Sequence, residues 1–93
     1  SNLKFLDMYS NYIETLDSTT FSGLNKLETL NLGENKFQTI EPDWIKVQSL
    51  KRLRLNKNKL KIVKLSSFSS LINLEILNLN SNEISTIETN SFL

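Results

Sequence analysis

The sequence predicts an α/β solenoid, a right-handed superhelix in which short β-strands alternate with longer crossovers. Four asparagines carry this prediction, because Asn11, Asn35, Asn58 and Asn82 recur at spacings of 24, 23 and 24 residues. Apolar residues recur with them at fixed offsets, so one structural unit is repeated four times. We expect a horseshoe segment with a parallel concave sheet of four strands and irregular convex loops.

The apolar residues fall into columns when each repeat is numbered from its first leucine. Columns one, four and six hold Leu3, Leu27, Leu50 and Leu74, then Leu6, Leu30, Leu53 and Leu77, then Met8, Leu32, Leu55 and Leu79. Columns eleven and fourteen hold Ile13, Phe37, Leu60 and Ile84, then Leu16, Ile40, Val63 and Ile87. An aromatic column holds Phe21, Trp44, Phe68 and Phe92, and Leu24, Val47 and Leu71 lie three residues beyond its first three members. We interpret all of these columns as core.

The alternation of columns four and six predicts strands near residues 5–9, 29–33, 52–56 and 76–80, since successive side chains of a strand point to opposite faces. Parallel strands need long crossovers, and about seventeen residues separate one predicted strand from the next. The convex segment 64–71 is rich in serine, which favours turns over helix. The asparagine column fits a buried turn, where an amide can both donate to and accept from the backbone.

Segments 27–35 (LETLNLGEN) and 74–82 (LEILNLNSN) resemble the leucine-rich repeat signature L-x-x-L-x-L-x-x-N. The 24-residue length and the late aromatic residue are similar to the typical class of that family. This class is common in ectodomains of Toll-like receptors and in secreted immune proteins. The resemblance implies a leucine-rich repeat solenoid, an extracellular location (secreted or part of an ectodomain), and a setting in innate immunity or cell adhesion.

The chain is expected to be a single array over residues 1–93, with repeats at about 3–26, 27–49, 50–73 and 74–93. No polar capping repeat is visible, so we expect an uncapped excerpt of a longer array. The second repeat is one residue shorter than its neighbours between Ile40 and Trp44, and it contains Pro42 and Asp43. We interpret this as local repacking around a deletion.

Composition argues against catalysis. The absence of histidine and cysteine removes the commonest metal ligands, general bases and thiol nucleophiles. Glu41 and Asp43 are thin evidence for a cation that takes six to eight oxygens. We therefore predict no enzyme activity, no catalytic residues, no cofactor, no metal and no small-molecule substrate. No apolar run approaches the roughly 18 residues of a membrane span, so no membrane contact is predicted within this segment.

The concave face is the surface on which ligand contacts are expected. Its outward columns three, five, seven and eight hold Phe5, Thr29, Arg52 and Ile76, then Asp7, Asn31, Arg54 and Asn78, then Tyr9, Gly33, Asn56 and Asn80, then Ser10, Glu34, Lys57 and Ser81. Aromatic residues and arginines most often anchor interfaces. We predict ligand binding by Arg52, Arg54, Phe5, Tyr9, Asp7, Asn31, Asn56 and Asn78. The strip measures about 320 Å², less than the roughly 800 Å² per partner of a standard interface.

Residues 50–73 hold seven cations and no acid, although the whole chain carries a net charge of only +1. Column neighbours offset four of these cations. Lys51 lies between Glu28 and Glu75, Lys57 beside Glu34, Lys59 beside Glu83, and Lys64 between Glu41 and Glu88. Arg52, Arg54 and Lys61 have no acidic column neighbour, and the two arginines are the preferred contact residues.

Three functions are compatible with this sequence. The leading one is a non-enzymatic recognition module that binds a protein ligand or co-receptor through the concave sheet. The second is a receptor segment that binds an anionic polymer, nucleic acid or sulphated glycan, through the basic third repeat. The third is a structural spacer in a longer solenoid. Salt dependence separates the second from the first, because polyanion binding weakens with log[salt].

Overall fold

The computed structural model describes residues 2–17, 19–41 and 44–88. The predictions that involve Pro42, Asp43 and Phe92 fall outside these residues. Six strands and one 3-10 helix occur in the described part, in the order β1 (Phe5–Asp7), β2 (Thr29–Asn31), β3 (Arg52–Arg54), β4 (Ile62–Lys64), the 3-10 helix (Leu65–Phe68), β5 (Ile76–Asn78) and β6 (Thr86–Glu88).

The main sheet has the strand order β1-β2-β3-β5, and every pairing in it is parallel. Its register places Leu6, Leu30, Leu53 and Leu77 opposite one another, as the columns predict. The predicted solenoid with a parallel sheet of four strands is confirmed. Among the described residues the crossovers contain no α-helix, in agreement with the serine-rich composition of segment 64–71, and they are irregular apart from the 3-10 turn, β4 and β6.

The four main strands are three residues long, so the prediction of five residues is wrong at their carboxyl ends. The backbone turns soon after each strand. The column-eight residues Ser10, Glu34, Lys57 and Ser81 all adopt positive φ, between 53° and 61°. This left-handed conformation is costly for residues other than glycine and ends the extended backbone.

The core is continuous along the columns. Leu27, Leu30, Leu32, Phe37, Leu50, Leu53 and Leu55 are fully buried, and Leu60 is nearly so. Two predicted core residues are exposed, since 41% of Leu3 and 55% of Ile87 remain accessible. Both lie on the outermost described turns, where a neighbouring turn packs on one side. Ile45 is fully buried although no predicted column included it.

The asparagine column ties each turn to the next. Asn58 donates from Nδ2 to the carbonyls of Leu32 and Leu55, at 3.0 and 3.1 Å, and its Oδ1 accepts the amide of Phe37 at 3.2 Å. Asn35 and Asn82 repeat this pattern one turn before and one turn after. The prediction that these amides both donate and accept in a buried turn is confirmed at Asn35 and Asn58, whereas Asn82 is half-buried and Asn11 is exposed and only donates.

A second sheet on the convex side was not predicted. Strands β4 and β6 pair in parallel, with Val63 opposite Ile87 and Lys64 opposite Glu88. The corresponding stretch of the second repeat, around Ile40, forms no strand among the described residues. The carbonyl of Ile40 accepts instead from the hydroxyl of Ser67, which is buried in the 3-10 helix. A side chain thus replaces a sheet hydrogen bond next to the shortened segment.

Candidate ligand-binding face

Column three forms one row across the concave face. The register aligns Phe5, Thr29, Arg52 and Ile76 on successive strands. Phe5 is 51% exposed and Ile76 is 54% exposed, whereas Thr29 is only 7% exposed. Nη1 of Arg52 donates to Oγ1 of Thr29 at 3.2 Å. The guanidinium is therefore held by Thr29 in a row whose two end members are exposed apolar side chains.

Column five contains four of the predicted contact residues, and three of them also have a local structural role. Oδ1 of Asp7, Asn31 and Asn78 accepts the backbone amide two residues further on, at 2.9 to 3.0 Å. Such Asx turns are a common use of these side chains where a strand ends. Arg54 occupies the same column, cannot accept a hydrogen bond, and is exposed.

Columns seven and eight contain three side chains, Tyr9, Ser10 and Glu34, that are linked by hydrogen bonds. The hydroxyl of Tyr9 donates to Oε2 of Glu34 at 2.6 Å, and the hydroxyl of Ser10 donates to Oε1 at 3.2 Å. The Tyr9 bond, more than the Ser10 bond and the charge of Lys57, lowers the pKa of Glu34. The same bond is the main cause of the raised pKa of Tyr9.

Gly33 makes the bond between Tyr9 and Glu34 possible. A Cβ atom at Gly33 would lie 2.9 Å from Cδ2 of Tyr9 and 2.8 Å from Oδ1 of Asn56. Both distances are shorter than real Cβ contacts, so the absence of a side chain lets the tyrosine ring and the amide approach the backbone. Asn56 and Asn31 are half-buried here, and Tyr9 is 39% exposed.

The structure brings the predicted residues onto one face, but they differ in solvent exposure. Phe5, Tyr9, Asp7 and Arg54 are exposed, and Asn31, Asn56, Asn78 and Arg52 are half-buried. Thr29 and Glu34 position Arg52 and Tyr9, and neither was predicted to do so. Gly33 in column seven was the sequence signal for the role of Glu34, because a glycine there leaves space for the ring of Tyr9.

Part of the predicted charge matching is present. Nζ of Lys51 lies 3.8 Å from Oε1 of Glu28, and both side chains are more than a third exposed. Lys64 is the register partner of Glu88. Among the described residues, no group of three His, Cys, Asp or Glu side chains is arranged to hold a metal ion. In that same part of the chain, no helix is long and apolar enough to cross a membrane.

These features define a leucine-rich-repeat solenoid whose concave face carries both polar and exposed apolar side chains, and the comparisons agree. The family model for leucine rich repeats matches residues 1–46 and 48–93, so the chain belongs to that family. No curated protein matches significantly.

Among solved structures, a chain of the crystal structure of a TLR13–ssRNA13 complex has a TM-score of 0.84 and 35% identity to this chain. The match covers 98% of this chain and 13% of that one, so the present chain spans only a small part of the receptor's length. The chain is thus similar to the repeats of a Toll-like receptor.

Proposed function

We propose that this chain is a non-enzymatic recognition module, part of an extracellular receptor or secreted immune protein, that binds a protein ligand or co-receptor through its concave face. The observation that carries the proposal is the row made by Phe5, Arg52 and Ile76, with Arg54 beside it. This row combines exposed apolar surface with a guanidinium already oriented by Thr29. Pre-oriented arginines next to apolar anchors are typical of the centres of protein interfaces.

The test compares two double variants of the full chain. Purified extracellular protein domains are screened for binding to the immobilised chain, and each binder is measured again on R52A/R54A and on K51A/K57A. We expect R52A/R54A to weaken binding about tenfold or more. Loss of the Arg52–Thr29 hydrogen bond should cost about 1 kcal/mol of stability, too little to unfold the chain.

K51A/K57A is the matched control, because Lys51 is paired with Glu28 and Lys57 lies near Glu34. A larger loss of binding in K51A/K57A than in R52A/R54A would contradict the proposal. If binders were found and every concave substitution were neutral towards all of them, the spacer function would be favoured instead.

The second candidate is recognition of an anionic polymer. It is favoured by the seven cations of residues 50–73 and by the likeness to a receptor solved in complex with ssRNA13. A synthetic single-stranded RNA oligonucleotide is the probe. For this candidate we expect the logarithm of the binding constant to fall linearly with log[salt], with a slope of about −0.7 per phosphate neutralised. Binding that is insensitive to salt, or no binding, would exclude it.

A further inference from the structure

A second organised surface lies on the flank of the solenoid where the main strands begin. Column two places Lys4, Glu28, Lys51 and Glu75 on four successive repeats, and we call this row the charge ladder. The backbone fixes its spacing, because the amides of Glu28, Lys51 and Glu75 each donate to the carbonyl of the preceding ladder residue at 2.8 to 2.9 Å. The signs alternate along the row.

The charge ladder borders an open groove with a volume of about 490 Å³. Two hydrogen bonds within the chain fix side chains at the rim of this groove. The hydroxyl of Ser49 donates to the carbonyl of Leu27 at 2.6 Å, and Nδ2 of Asn73 donates to that of Gln48 at 2.7 Å. Lys4 and Glu75 are exposed, and the side chains of Glu28 and Lys51 keep 35% and 42% of their surface. A partner would therefore meet a preformed surface, which lowers the entropic cost of association.

The spacing of the ladder selects the kind of partner. Its charges repeat about every 4.8 Å, the distance between neighbouring strands. An extended peptide presents side chains on one face about every 6.7 Å, and a helix about every 5–6 Å, so neither stays in phase over four charges. A second stack of solenoid turns of the same kind presents its charges at the matching spacing of about 4.8 Å.

The order of the signs selects a second copy of this chain. A row that reads plus, minus, plus, minus is complementary to itself when reversed. A two-fold axis between Glu28 and Lys51 places Lys4 opposite the partner's Glu75, and Glu28 opposite the partner's Lys51. All four contacts are then attractive, and the interface is isologous, as in most homodimers. The parallel arrangement would place like charges together.

We propose that the charge ladder is a self-complementary docking surface through which two copies of this chain associate in an antiparallel pair. The surface is separate from the concave face, and the proposal does not rest on the function suggested above. The contact is small and charged, so the association should be transient and sensitive to salt.

Sedimentation equilibrium of the full chain, from micromolar to millimolar concentration, tests the proposal. We expect dimers at about 10 mM salt, where the Debye length is about 30 Å, and monomers at about 1 M salt, where it is about 3 Å. E28K and K51E should each weaken self-association about tenfold or more, because each places two pairs of like charges face to face.

An equimolar mixture of E28K and K51E gives the decisive result. In the antiparallel heterodimer every lysine again faces a glutamate, so the mixture should associate at least as well as the original chain. The double variant E28K/K51E is the matched control, because it keeps all four intermolecular contacts attractive but loses the alternation within the chain. It should dimerise even if its thermal stability falls.

A chain that stays monomeric at low salt would overturn the proposal and leave the ladder as an internal charge-matching device. Dimers that survive both single substitutions, or a mixture that fails to associate, would overturn it too. Circular dichroism of each variant shows whether the fold is retained, and the mixture compensates for any general effect of one substitution.

Discussion

At the scale of single residues, Asn58 is a buried member of the asparagine column that bonds its own turn and the preceding turn. Its amide bonds the carbonyls of Leu32 and Leu55 and the backbone amide of Phe37, and the residue is only 6% exposed. We expect Asn58→Ala to lower the free energy of unfolding by about 3 kcal/mol, because buried backbone groups lose their partners. Urea denaturation measures this change.

Asn11 provides the control within the same column. It is exposed and its Nδ2 donates to the carbonyl of Met8 at 3.0 Å. Asn11→Ala should cost about 1 kcal/mol or less. Equal losses at both positions would mean that the asparagines act locally and do not tie the turns together.

The two glycines offer a matched pair of substitutions. A Cβ at Gly33 would collide with Tyr9, whereas a Cβ at Gly23 meets nothing within 4 Å but would sit on a backbone with a φ of 82°. We expect Gly33→Ala to break the Tyr9–Glu34 bond and to lower the pKa of Tyr9 towards its ordinary value. Gly23→Ala should cost about 1 kcal/mol through strain and leave the pKa of Tyr9 unchanged. Titration of ¹³C-labelled tyrosine by NMR separates the two effects.

The hydrogen bond between Tyr9 and Glu34 predicts how the stability of the fold depends on pH. The folded-state pKa of Glu34 is lowered, so its contribution is present above the ordinary value of about 4.3 and is lost as the pH falls further. The pKa of Tyr9 is raised, so its contribution is present below about 10 and is lost as the pH rises. The stability difference between the chain and its Glu34→Ala variant should be largest between these limits. A difference that does not vary with pH would contradict the link.

At the scale of secondary-structure elements, the 3-10 helix joins two crossovers through one hydroxyl. Ser67 is 2% exposed and donates to the carbonyl of Ile40, whereas Ser69 is exposed and donates to Ser66 in its own turn. We expect Ser67→Ala to lower the free energy of unfolding by about 2 kcal/mol and Ser69→Ala by less than about 0.5 kcal/mol. Thermal denaturation of both variants tests this, and a similar effect of the two would show that the buried bond is dispensable.

The main strands could be located from the sequence because their leucines alternate and their asparagines recur. The convex sheet was not predicted, because column fourteen gives β4 and β6 only one recurring apolar residue each, Val63 and Ile87. The main strands were predicted too long, because the positive φ of Ser10, Glu34, Lys57 and Ser81 has no signature in residues that are not glycine. The face of the candidate site followed from the columns. The contact of Thr29 with Arg52 depends on side-chain geometry that has no sequence signal, whereas Gly33 in column seven is the one sequence sign of the space that Tyr9 uses to reach Glu34.

At the scale of the whole molecule, stability depends on neighbouring turns. Leu53 is fully buried, with Leu30 and Leu77 as its register partners, whereas Leu6 on the first strand is only half-buried. We expect Leu53→Ala to lower the free energy of unfolding by about 3 kcal/mol and Leu6→Ala by roughly half as much.

Two probes test whether the turns unfold as one unit. The single tryptophan, Trp44, packs against Phe37 with a centroid distance of 5.8 Å and reports on the second repeat. Circular dichroism reports on the whole chain. The two transitions should coincide in the original chain and in both leucine variants. Separate transitions would show that the second repeat unfolds independently.

The asparagine column bears on how this chain can change in length. Asn58 bonds Leu32 and Phe37 of the preceding turn just as Asn82 bonds Leu55 and Leu60, although the second repeat is one residue shorter than the others. The sheet register is likewise unbroken between Leu30 and Leu53. Insertions and deletions in the convex crossovers therefore leave the strand-and-asparagine segment unchanged. One added residue between Leu53 and Asn58 would shift every later contact. An outer crossover of this array can therefore differ in length by one residue while the order of side chains on the inner face stays constant.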